Sequence, residues 1–170
     1  MRSWTWAFLV IALATWTARG DEPCEGFTWN VTAERALFAG APRTARAASA
    51  AAGAPVLELR TAYALELASQ TDVVFAVAPG RRQVPEGAHA GIAILVFPRA
   101  GRYRVSLDAP AWVDIVVDGK AVPSGAFQGR AGCNAPHKIV EFEVPAGDAL
   151  LQVSAAAAGR VRIAITGTAP

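Results

Sequence analysis

The sequence predicts an all-β fold, an antiparallel β-sandwich with one short helix near its N-terminus, and three features carry that expectation. From Val56 to Ile165 apolar and polar residues alternate with a period of two in run after run, the pattern of strands with one face buried. The runs are separated by Pro79-Gly80, Ala100-Gly101, Asp118-Gly119 and Ala146-Gly147, residues suited to the backbone angles of tight turns. No helical pattern lies between them, so about eight or nine short strands have only each other to pack against, which favours two layered sheets.

The first segment is an address rather than part of the fold. Arg2 precedes an apolar run from Ala7 to Ala14, and Ala18-Arg19-Gly20 offers small residues at a cleavage site, the layout of a secretory signal peptide over residues 1–20. The mature chain is then expected to begin at Asp21. The apolar run falls short of the roughly 20 residues a membrane-spanning helix needs, so no membrane span is expected after cleavage. Residues 21–55 read as an N-terminal segment. Within it Phe27 to Phe38 is helical in pattern, with Asn30 or Thr32 as cap and Glu34 near the positive end of the helix dipole. Pro42 to Pro55 is Ala-rich without an apolar face and reads as a linker or a frayed turn.

Residues 56–170 form the expected sandwich domain. Leu57 and Leu59 alternate with Glu58 and Arg60, and Tyr63, Leu65 and Leu67 follow. Val73, Phe75 and Val77 make the next strand-like set. Ile92 to Phe97 is apolar on both parities, as in a strand covered on both faces. Tyr103, Val105 and Leu107 alternate with Arg102, Arg104 and Ser106; Val113, Ile115 and Val117 alternate with Trp112 and Asp114. Val140, Phe142 and Val144, then Leu151 and Val153, then Val161, Ile163 and Ile165 complete the series.

Cys24 and Cys133 are the only two cysteines, and an even count in an exported chain reads as one disulfide. Of the 16 basic residues Arg2 and Arg19 belong to the signal, and the rest match the 14 acidic residues. A near-neutral domain without a basic cluster gives no footprint for nucleic acid. With an Ala- and Arg-rich composition, this points to a periplasmic or secreted bacterial protein.

Cys24-Glu25-Gly26-Phe27-Thr28-Trp29-Asn30-Val31, Gly101 to Leu107, Trp112-Val113-Asp114, and Cys133 ahead of Lys138 together resemble an uncharacterised family of exported proteobacterial proteins. The resemblance covers most of the mature chain and implies compartment and compactness, but no activity. Gly101-Arg102-Tyr103-Arg104-Val105-Ser106-Leu107 and the strand ending Val117-Asp118-Gly119 are also similar to strands of jelly-roll modules of carbohydrate-binding and prepeptidase C-terminal type. That similarity implies a jelly-roll-like sandwich and carries no function.

No dinucleotide fingerprint, phosphate loop, nucleophile elbow or paired-cysteine motif occurs, and no cofactor is implied. His89 and His137, joined by a carboxylate such as Asp114, are the residues of an iron-dependent oxygenase or metal-dependent hydrolase reading; each sits in a polar loop and reads more simply as a loop histidine. A serine triad on Ser106 or Ser154 is no better supported. Trp112 is the more informative residue, because its parity turns it and Asp114 away from the core. Either the N-terminal segment, tethered through Cys24, covers Trp112 with Phe27 or Trp29, or Trp112 is a stacking platform with Arg102, Arg104 and Asp114 as polar partners for a glycan or peptide. The expectation is a binding or accessory module of the periplasm, whose partner is a glycan or another envelope protein.

Overall fold

The computed structural model describes Cys24 and residues 26–168, so the signal segment, its cleavage after Gly20 and the start at Asp21 lie outside the described residues. One helix, α1 (Thr32–Ala39), precedes twelve strands: β1 (Arg43–Arg46), β2 (Val56–Leu57), β3 (Ala62–Glu66), β4 (Ala68–Ser69), β5 (His89–Phe97), β6 (Gly101–Leu107), β7 (Trp112–Val117), β8 (Lys120–Val122), β9 (Ser124–Gly129), β10 (Lys138–Val144), β11 (Gly147–Ala156) and β12 (Arg160–Gly167). The first sheet runs β1-β3-β12-β6-β10-β9 and the second β2-β5-β11-β7-β8, with β4 paired to β5. Pairing is antiparallel except for β1 with β3 and β2 with β5, so the sheets are mixed at these edges. Among the described residues no helix is long and apolar enough to cross a membrane.

The core is the set the period-two pattern selects. Leu65, Leu95, Leu107, Ile115, Leu151, Ile163 and Ile165 are fully buried between the sheets, with Tyr103, Val105, Val140 and Phe142 around them. Burial of such side chains stabilises by about 1.5–3 kcal/mol each. Cys24 and Cys133 are bonded across a separation of 109 residues, which in the chain-entropy model stabilises by about 4–5 kcal/mol.

Three elements depart from the sequence reading. The Ala-rich stretch expected as a linker supplies β1, which adds to β3 in parallel, and Ala48, which bridges Ile92. Ser124–Gly129, with one large apolar side chain, was not expected as a strand, yet it pairs with β10 as the edge of the first sheet. Conversely Val73, Phe75 and Val77 form no strand. Their segment follows a single 3-10 turn at Gln70–Asp72 and lies as an irregular strap over the outer face of the second sheet.

Part of each outer face is thereby covered by the chain itself. On the first sheet α1 drops Phe38 onto Ala62 and Ala164, and buries Glu34 against Thr166. On the second, Val73 and Phe75 cover Ala90 and Ile92, while Gln152 binds the backbone of Ala76 and Val77.

Candidate functional site

The four residues expected to share one binding strip lie on two sheets. Arg102 and Arg104 project from β6 of the first sheet, Trp112 and Asp114 from β7 of the second. Because β6 and β7 belong to opposite layers, the outward parity read from the sequence sends the two pairs to opposite faces.

Each pair is also engaged. The Arg104 guanidinium is stacked under the Trp29 ring at 4.5 Å, donates to Glu141 at 3.0 Å and to the Asn30 carbonyl at 3.1 Å, and lies 3.7 Å from Glu34. Arg102 is exposed and approaches Glu141 at 3.7 Å. Trp112 donates its indole N–H to Asp114 Oδ1 at 2.9 Å, while Asp114 Oδ2 accepts the Gly80 N–H at 3.3 Å. The Lys138 ammonium sits 5.1 Å from the Trp112 ring centre and donates to the Ala111 carbonyl at 3.1 Å. Burial is the main influence lowering the pKa of Lys138, and the nearby Arg81 charge acts in the same direction. Trp112 therefore has a cover, but the cover is the Pro79-Gly80 strap and Lys138. The N-terminal segment expected there packs on Arg104 instead, with Thr28 bonded to Gln128 and Phe27 under Arg130.

The two histidines belong to separate elements. His89 opens β5, with its ring against Gly159, whereas His137 donates from Nδ1 to the Cys133 carbonyl at 3.1 Å in the loop before β10. Among the described residues no three His, Cys, Asp or Glu side chains cluster as metal ligands. Ser106 and Ser154 have buried hydroxyls with no hydrogen-bond partner, and so no base to activate them.

The described residues also line two surface concavities. One, of about 450 Å³, is lined by Arg46, Glu66 and Arg160, and both arginines are paired with the same carboxylate: Glu66 accepts from Arg46 at 3.1 Å and Arg160 at 3.3 Å. The other, of about 710 Å³, lies at one end of the sandwich and is lined by Arg60, Arg99, Arg102, Tyr103, Glu143 and Thr168 among others. The Arg60 N–H is bonded to the Ile165 carbonyl at 2.7 Å, and Arg60 adopts φ +59°, a left-handed conformation rare for an arginine. Tyr103 supplies part of the wall: it packs on Phe97 and donates its hydroxyl to the Arg99 carbonyl at 3.0 Å, fixing the turn between β5 and β6. Thr168 closes the rim by donating its N–H to the Arg102 carbonyl at 3.0 Å. Among the described residues Arg60 and Arg99 make no ion pair. Sequence reasoning singled out Arg102 but not Arg60 or Arg99, which sit in separate turns and share a site only through sheet order.

No family model and no curated protein matches the sequence. Among solved structures, a selenomethionine-labelled β-glucosidase from Kluyveromyces marxianus is similar at 14% identity and a TM-score of 0.34, over 62% of this chain and 13% of that one. The matched part is a small fraction of that enzyme, and at this score the likeness carries no argument about activity.

Proposed function

We propose that this protein is a binding or accessory module that works outside the cytoplasm, and that its binding site is the 710 Å³ cleft at the end of the sandwich. One observation carries the reading: α1 with the N-terminal segment covers part of one outer face, the strap covers part of the other, and the cleft lies open at the end of the sandwich. Its size falls in the range of small-ligand sites. The Cys24–Cys133 bond supports an oxidising compartment, and the resemblance to exported proteobacterial proteins favours the periplasm. The glycan alternative moves with the site, because the indole N–H and one ring face of Trp112 are already engaged.

The test is a blocking substitution. Ala100→Trp places an indole on the exposed cleft rim, away from the core. Any ligand found for the wild type by calorimetry against a panel of mono- and oligosaccharides, acidic sugars and short peptides should lose its affinity for this variant. A ligand that binds both proteins equally would place the site elsewhere.

A further inference from the structure

We infer that the cleft recognises a small ligand joining an oxyanion to hydroxyl donors, the chemistry of an acidic or phosphorylated sugar; this rests on the cleft being the binding site. Three arginines line it against one carboxylate, Glu143, and only Arg102 among them approaches a carboxylate, Glu141 at 3.7 Å, whereas both arginines of the smaller cleft are paired with Glu66. Guanidinium groups bind carboxylate and phosphoryl oxygens through paired N–H donors, a geometry that ammonium groups do not offer. Among the described residues Arg60 and Arg99 have no carboxylate within ion-pairing distance.

The backbone is organised around these side chains. Arg60 is held at φ +59° with its N–H bonded to the Ile165 carbonyl, so its side chain leaves the turn from a fixed left-handed backbone. The Tyr103 hydroxyl fixes the Arg99 carbonyl, so the turn bearing the second guanidinium is anchored to a buried ring. Glu143 has no ion-pair partner among the described residues and accepts hydrogen bonds only, which suits hydroxyl groups next to the anion. A lone inorganic anion would leave Glu143 repelling it.

The experiment is calorimetry at low ionic strength with glucuronate, glucose 6-phosphate, inorganic phosphate and glucose as probes. Glucuronate or glucose 6-phosphate should bind, and which of the two binds more tightly distinguishes carboxylate from phosphoryl recognition. Affinity should fall as salt rises, because exposed charges are screened. Arg60→Gly preserves the left-handed backbone while removing the guanidinium, and Arg99→Gln keeps hydrogen bonding without charge. Each should weaken binding at least tenfold with little change in the melting temperature, and Arg81→Gln with Arg82→Gln should leave binding unchanged. Glucose binding that Ala100→Trp abolishes and the arginine variants spare would overturn the anionic class while preserving the cleft as the site. Absence of binding to both acidic probes, or binding that survives loss of Arg60 and Arg99, would overturn the inference outright.

Discussion

Gln152 pairs with the backbone of Val77 as a strand would: its Oε1 accepts the Val77 N–H at 3.2 Å and its Nε2 donates to the Val77 carbonyl at 3.1 Å. The same Oε1 also accepts the Ala76 N–H at 2.8 Å, so one fully buried amide satisfies three backbone groups of a segment that has no sheet partner there. The strap can therefore lie over the second sheet without the cost of unpaired polar groups.

Gln152→Leu should consequently destabilise the protein by about 3 kcal/mol, since it strands backbone donors and an acceptor whose desolvation is no longer offset. Urea unfolding of the variant checks this. The strap should also become protease-sensitive between Val73 and Ala88, and a variant as stable and as resistant as the wild type would show that the amide is not the latch.

Arg104 and Glu34 define a second expected outcome. Glu34 is buried, accepts from Thr166 Oγ1 at 2.8 Å and lies 3.7 Å from Arg104, which also carries the Trp29 ring. Arg104→Ala leaves Glu34 buried without its cation and removes the support of Trp29, so a loss of roughly 3–5 kcal/mol is expected. Glu34→Gln in the same background should restore part of it, because the charge is gone while the bond to Thr166 is retained. Chemical denaturation of the single and double variants measures the coupling.

The extent to which these features are legible in the sequence follows from their physics. Parity exposes the core, because Val105 lies between Arg104 and Ser106 and Phe142 between Glu141 and Glu143, and both apolar side chains are buried. The disulfide follows from a count of two. Val73, Phe75 and Val77 share the same alternation, yet the partner that holds them is one side chain on β11, which no local pattern announces. Parity likewise shows that Trp112 and Arg104 face outward but not which layer each strand joins; β6 and β7 are successive in the chain and lie in different sheets. Arg60 and Arg99 come together only through that topology.

Lys138 makes stability pH-dependent with a definite sign. Burial lowers its pKa in the folded state below the ordinary 10.5, so between the two values the unfolded chain binds more protons than the folded one. Stability contributed through this group therefore increases as pH rises through that window. Lys138→Met lacks the titration, so the stability of the wild type relative to the variant should improve as pH is raised toward 10.5. A constant difference across that range, measured by thermal unfolding, would contradict a buried ammonium at this position.

The seating of the strap on Trp112 can be tested from the strap side. A Cβ at Gly80 would lie 3.1 Å from the Trp112 ring and 3.2 Å from Asp114 Oδ1, tighter than ordinary van der Waals contact. Gly80→Ala must therefore push the strap outward by a few tenths of an ångström or turn the indole, and either change weakens the Gly80 N–H bond to Asp114. Because Gly80 is exposed, the stability loss should be small, about 0.5–1 kcal/mol, the scale of one weakened surface hydrogen bond. The optical change should be larger. In a Trp29→Phe background the variant's emission should shift to longer wavelength and acrylamide quenching should increase, since the indole gains water where the strap had excluded it. Trp29→Phe alone provides the reference. Identical spectra with and without the added methyl group would mean that Gly80 does not seat the strap on Trp112, and that Lys138 alone covers the ring.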